Sequence, residues 1–240
     1  ENLLAYRNDR IALIFRGVAF EFRGKIDSDA WKKVWDWLIF LGSFLPALLF
    51  GVAFANIFKG IPFDGEGLYH GNTLKLLNPY GLLGGILFVL LFIQHGANWL
   101  AIKTRDELQQ RVIAVAGKNW LLLVPVAVLF LVYSYFATNL YDNYLAHPGW
   151  FLVILVTVLA LFATRFFLGA QSYFKAWAAS AVTIIGATFF GIIGLFPNLF
   201  PSSIDKAYSL TAHNASSSPL TLKIMLGVVL VFIPIVIVYQ

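Results

Sequence analysis

Residues 37–58 read WLIFLGSFLPALLFGVAFANIF, an unbroken apolar run held between Asp36 and Lys59. A bilayer core is about 30 Å thick and an α-helix rises about 1.5 Å per residue, so a run of this length crosses it once. Working outward, five further runs of the same kind follow at 80–102, 119–140, 150–170, 176–200 and 222–240. The pattern predicts an all-α fold, a polytopic membrane helix bundle with six complete transmembrane helices, and residues 1–240 read as a single membrane domain.

Composition supports that reading. Sixty per cent of the residues are hydrophobic and only 12% are charged, which excludes an ordinary soluble domain. Trp31, Trp35, Trp37, Trp99, Trp120 and Trp150 fall at or near the predicted span ends, where aromatic belts form. A net charge of +5 would suit a nucleic-acid binder, but the charges sit in loops between spans, so no nucleic-acid partner is expected. Without cysteine there are no disulfides, thiolate metal sites or Fe–S clusters. No signal peptide is visible, and a chain beginning with Glu1 rather than Met is expected to have residues upstream.

The loops carry the orientation. Arg7, Arg10, Arg16, Arg23, Lys25, Lys32 and Lys33 precede the first span, Lys103, Arg105, Arg111 and Lys118 fill the third gap, and Arg165 and Lys175 flank the fifth. The alternate gaps hold only Lys59, Lys75, Lys206 and Lys223, so the count is thirteen against four. Basic residues are retained on the cytoplasmic side, which places the N-terminal segment and the 103–118 and 165–175 loops there. Six crossings return the C-terminus to the same side.

Details inside the spans fit burial in a bundle. Pro46, Pro125 and Pro234 each remove a backbone donor that neighbouring helices must tolerate. Ala187–Gly191, with Gly186 and Gly194, makes the fifth span small-faced enough for close helix approach. Asn78-Pro79 reads as a helix start, Asn capping and Pro in the first turn. One segment fits less well. Ile11–Phe15 is apolar but too short to span, so it is either a short interfacial helix or the last turns of a spanning helix whose beginning is absent. Residues 1–10 then form a cytoplasmic segment and 11–22 a membrane-helix stump.

Few side chains suggest chemistry. Glu21, between Phe20 and Phe22 at the cytoplasmic border, could pass protons inward, because acidic groups near membrane depth are functional candidates. The plainer account is an interfacial carboxylate paired with Arg23 or Lys25, and composition alone favours it. His95 is the only histidine within a span. Haem ligation would need it to face a large cavity, whereas Gln94 and Asn98 one turn apart suggest an interhelical polar face, the favoured reading. Asp64, Glu66 and His70 could hold a hard or borderline metal, but an exposed Gly-rich loop is the commoner case, and no metal site is assigned. Asp36, between Trp35 and Trp37, is expected to interact with a helix N-terminus and anchor the interface. Asn214-Ala215-Ser216 matches a glycosylation sequon.

From Ile14 to Gly85 the chain runs IFRGVAFEFRGKI, then WKKVWDWLIFLGSFLPALLFGVAFANIFKGIPF, then LLNPYGLLGG, with FPNLFPSS at 196–203 and SSSPLTLKIM at 216–225 in order behind them. This ordered set resembles subunit II of the cytochrome bd-type quinol oxidases, the subunit without haem, over about nine-tenths of the chain. The resemblance implies that Glu21 and Lys25 stand where the family takes protons from the cytoplasm. It also implies that haems b and d belong to a haem-bearing subunit I, that this chain binds no cofactor, and that quinol is the substrate of the complex. A small single-helix accessory subunit and a bound lipid or quinone are further partners it suggests, in a bacterial cytoplasmic membrane where the sequon has no role. LLAYRNDR at 3–10 resembles the segment after the family's first membrane helix, and IALIFRGVAF the end of its third. Residues before Glu1 and between Arg10 and Ile11, including an acidic Trp-Asp-Gly-Asn-type motif, are therefore expected to be missing, and the natural bundle to be larger. The competing functions are a secondary transporter, which would need broken helices and polar groups at mid-membrane, and a purely structural membrane scaffold.

Overall fold

The computed structural model describes Ile14 and residues 17–239. Residues 17–22 are helical, whereas most of the 11–16 stretch and the Arg10–Ile11 junction lie outside the described residues. Six helices are long and apolar enough to cross a membrane: α1 (Asp29–Lys59), α2 (Pro79–Lys103), α3 (Asp106–Ala137), α5 (Phe151–Gly169, entered through a single 3-10 turn at Pro148–Trp150), α6 (Tyr173–Leu195) and α7 (Pro219–Tyr239). The all-α membrane bundle read from hydropathy is the fold found. A short α4 (Asp142–Ala146) lies in the fourth gap.

Helix ends follow local chemistry more than hydropathy. Asn78 accepts a hydrogen bond from the Gly81 amide at 2.9 Å and Pro79 takes the first turn, so the Asn-Pro pair starts α2 as its sequence predicts. The apolar run at 119–140 marks only the membrane part of α3, which begins at Asp106. Asp106 and Glu107 favour the positive end of the helix, and Glu107 meets Arg111 one turn on at 2.5 Å. The gap at 103–118 is thus mostly helix, and a hydropathy window cannot see such a polar extension. At the other extreme, the run at 176–200 overshoots. Helix α6 stops at Leu195, because Phe196 precedes Pro197 and turns extended, with φ −53° and ψ 136°. Residues Asn198–Phe200 (β1) instead pair antiparallel with Leu210–Thr211 (β2).

Helices α2, α3, α5 and α6 close into a four-helix ring, α2 against α3 and α6, and α5 against α6, with a slighter α3–α5 contact. Helix α1 packs on the outside of α2. Tyr80, Leu87, Leu91, Leu123, Phe130 and Leu161 fill the centre together with Ala55. In lipid such a core is held by packing and interhelical hydrogen bonds, because leaving the tails gains little hydrophobic free energy. Glycine makes the closest seam possible: a β-carbon on Gly51 of α1 would lie 2.5 Å from the Gly84 carbonyl oxygen and 2.7 Å from the Gly85 α-carbon. On α6, Gly186 faces Thr157, Gly191 faces Phe58 and Gly194 faces Leu140, so the small face expected there is used for close contact. Helix α7 differs. None of its residues is buried, and it makes no extensive contact with the other described elements.

The gaps after α1, α3 and α6 form one layer at the same end of the bundle. Ile61 bridges to Ser202, and Ser202 donates from Oγ to the Phe63 carbonyl at 2.7 Å. Asn143 donates to the Ile193 carbonyl at 2.8 Å and also to Phe196.

Candidate functional site

Glu21 lies in the last turn of the helical segment 17–22 and is exposed, as are both flanking phenylalanines, Phe20 at 70% and Phe22 at 45%. The chain then turns through Gly24 and Lys25 into α1. The cation nearest in sequence is taken elsewhere. Arg23 holds Asp36 through two bonds, Nε to Oδ1 at 2.6 Å and a terminal nitrogen to Oδ2 at 3.1 Å. Trp31 donates to the Phe22 carbonyl at 2.8 Å, and Trp35 packs on both Phe22 and Trp31. Lys32 meets Asp27 at 2.7 Å. The result is a fixed elbow in which Glu21 and Lys25 have no ion-pair partner among the described residues.

That arrangement changes two expectations. Glu21 is not paired with Arg23, because the fork of the guanidinium fits Asp36 bidentately across the turn. Asp36 does not serve a helix N-terminus, because α1 starts at Asp29, about two turns earlier, leaving Asp36 inside the helix and facing Arg23. The guanidinium is correspondingly held above its ordinary pKa by the hydrogen bond and charge of Asp36. The indole N–H of Trp35 is enclosed beside this elbow with no acceptor among the described residues, which its place near a span end did not foretell.

The polar groups inside the bundle form a second cluster. Asn119 of α3 donates to the Gln94 side-chain oxygen at 3.0 Å and to the Leu90 carbonyl at 2.9 Å. Gln94 donates to Asn98 at 3.3 Å, and Asn98 donates to the Ala176 carbonyl of α6 at 3.3 Å. His95 meets Ser180 through Nδ1 at 2.9 Å. The polar face read from Gln94 and Asn98 is therefore a knot joining α2, α3 and α6. Its partners Asn119 and Ser180 carry no signal in the sequence, because nothing local links residues on separate helices. All its buried members are neutral amides and hydroxyls, which can pin helices and carry no charge near neutral pH.

In the loop layer formed by the gaps after α1, α3 and α6, Asp64 and His70 come together and Glu66 does not join them. His70 Nε2 lies 2.5 Å from Asp64 Oδ2, while Asp64 Oδ1 accepts the backbone amides of Glu66 at 2.9 Å and Leu68 at 3.0 Å. The bond with His70, helped by those amides, holds the Asp64 carboxyl below the usual carboxylate range. No group of three metal-ligating side chains exists among the described residues. Asn214 serves its own turn, accepting from the Thr211 amide at 2.6 Å and donating to the Ser209 carbonyl at 3.0 Å.

An apolar cavity of about 500 Å³ opens between α1, α2, α3, α5 and α6, with Gly51, Phe58, Leu91, Phe130 and Phe190 among its walls. Its only side-chain hydroxyls, on Thr157, Thr183 and Thr188, bond back to their own helices. Neither His95 nor Met225 lines it, so the space offers no axial ligand and the residues do not fit a haem.

Residues 10–240 match the family model described as cytochrome bd terminal oxidase subunit II. The cytochrome bd ubiquinol oxidase subunit 2 of Bacillus subtilis strain 168 is 35% identical over 229 residues, covering 95% of this chain and 67% of that protein. The probable cytochrome oxidase subunit 2 of Haemophilus influenzae and the cytochrome bd-I ubiquinol oxidase subunit 2 of Escherichia coli K12 are each 34% identical, covering 95% of this chain and 68% of theirs. With six helices long and apolar enough to cross a membrane and a family match over nearly its whole length, this multi-pass membrane chain belongs to the cytochrome bd terminal oxidase subunit II family.

Proposed function

We propose that this chain is the haem-free subunit of a bacterial quinol:oxygen oxidoreductase, bracing a haem-bearing subunit I and supplying part of the route by which protons reach it from the cytoplasm. Family membership carries the subunit reading. Reduction of dioxygen to water consumes protons, and drawing them from the cytoplasmic side makes the reaction electrogenic. The excess of basic residues puts the Glu21 elbow on that side. Haems b and d sit in subunit I, quinol is oxidised by the complex, and the protein lies in the cytoplasmic membrane with its C-terminus inside.

The support at residue level is that Glu21 has no ion-pair partner among the described residues. With Arg23 held by Asp36, the Glu21 carboxylate is open at the border and can take a proton and release it. Lys25, four residues on, is the second member of the proposed entry route, and it too has no ion-pair partner among the described residues. In the assembled oxidase, Glu21→Gln lowers oxygen-consuming turnover and potential generation together, by about two orders of magnitude. Unchanged turnover and potential in an intact, fully haem-loaded complex would leave the bracing role alone, which is the scaffold alternative. A transporter reading has little to rest on, since α1, α3 and α7 run unbroken through Pro46, Pro125 and Pro234.

A further inference from the structure

Helices α5 and α6 meet at an end that carries cations and no carboxylate. Lys175 stands in the first turn of α6, its Nζ 5.8 Å from the centre of the Phe167 ring of α5. It has no ion-pair partner among the described residues. No Asp or Glu occurs between Asp142 and Asp205, so neither helix can supply one. Packing sets the depth of this end. Leu168 and Ala176 share a buried cluster with Ala97 and with Ala116, which lies two residues from Lys118, and Trp177 meets Trp99 at 5.5 Å. Lys175 therefore lies level with the water border, in the aromatic belt.

Inward from Lys175 an open groove of about 370 Å³ runs between the two helices. It exists because Ala160 and Ala163 of α5 and Ala178 and Ala179 of α6 have no atom beyond the β-carbon to fill it. It reaches Val182, seven residues and about 10 Å from the lysine. Spread over that length, the volume gives a cross-section of about 40 Å², less than half that of a helix 10–12 Å across. A further helix, of this chain or another, can only lie over the groove, leaving a void and forfeiting the contacts that hold helices together in lipid. It would also take the ammonium out of water with no carboxylate in either wall to answer it. A phospholipid avoids both costs. Its hydrocarbon enters the channel, and its phosphate meets the ammonium at headgroup level.

We propose that the groove between α5 and α6 holds one acyl chain of an anionic phospholipid, whose phosphate pairs with the Lys175 ammonium. Width selects a hydrocarbon chain, and charge selects the headgroup. A zwitterionic headgroup brings its own cation, and neither wall helix has a carboxylate to receive it, so net negative charge is preferred. The site goes beyond the subunit reading and needs only that these helices lie in a bilayer.

The test uses the complex purified through a tag on this chain and placed in phosphatidylcholine nanodiscs holding a minor share of phosphatidylglycerol with a photoactivatable acyl chain. Irradiation is expected to label peptides that carry Ala160–Phe167 and Phe174–Val182, read by mass spectrometry, and the matching phosphatidylcholine probe to label them several-fold less. Lys175→Gln is expected to lower phosphatidylglycerol labelling about fivefold and Lys175→Arg to retain it. Ala179→Leu, which fills the channel, is expected to remove the label while the complex stays assembled. Equal labelling by the two lipids, or labelling indifferent to Lys175→Gln, would reduce the groove to ordinary lipid contact and overturn the proposal. So would absence of label from these peptides, or p-benzoylphenylalanine at Phe174 joining the chain to protein instead of lipid, the result of a covering helix. Both faces of the disc present the same lipids, so the outcome depends neither on orientation nor on whether a haem protein copurifies, and copurification reads the subunit reading separately.

Discussion

At the scale of single residues, what separates groups with the same chemistry is which partner reaches them. Glu21 and Asp36 are both carboxylates near Arg23, and only Asp36 holds it. Reversing that pair, with Arg23→Asp and Asp36→Arg together, is expected to keep the elbow, whereas either change alone loosens it; proteolysis within residues 22–28 reads the difference. Asp64 gives a pH prediction. Its folded-state pKa is depressed, so its bond to His70 supports the 61–70 loop above the ordinary carboxylate pKa of about 4, and that support is lost as pH falls through the lowered value. Exchange protection of the Leu68 amide should fall in that acid range, and Asp64→Asn should abolish the pH dependence. In the interior, Asn119→Ala leaves the Gln94 side-chain oxygen and Leu90 carbonyl without this donor, and is expected to cost about 1 kcal/mol, read as a lower thermal midpoint of the purified complex. The candidates themselves were legible as unusual residues in apolar surroundings. Their pairing was not, since Asn119 and Gln94 are 25 positions apart and meet only when α2 and α3 pack.

At the scale of elements, the apolar runs locate six helices and miss their ends in both directions. Helix α3 extends beyond its run because Asp106, Glu107 and Arg111 make a good polar helix start, and α6 falls short because Pro197 forbids continuation. The seam between α1 and α2 rests on glycine. Gly51→Leu would drive a side chain into Gly84 and Gly85 backbone, which has no rotamer to yield. It is expected to cost about 1–3 kcal/mol and to lower the yield of assembled protein, while Gly96→Ala, which meets open space, should leave the isolated chain's thermal midpoint unchanged.

At the scale of the whole molecule, the prediction concerns sidedness. The chain contains no cysteine, so single cysteines report cleanly. One at Lys118 should react with impermeant thiol reagent only from the cytoplasmic side, and one at Asn214 only from the other; the reverse pattern would remove the basis for Glu21 facing the cytoplasm. Here the sequence was most informative, because lipid imposes a length and a charge rule on every crossing, and both are written in one dimension. It determined six spans, their alternation, the Asn78-Pro79 helix start and the small face of α6. Only the tertiary structure decided that α2, α3, α5 and α6 form a ring with α1 outside it. The same packing tied Asn119 to Gln94, brought His95 to Ser180, and gave Arg23 to Asp36. Those outcomes depend on which helix faces meet, and in a membrane that choice is made by shape and hydrogen bonding between distant segments, because hydrophobicity is satisfied on every side.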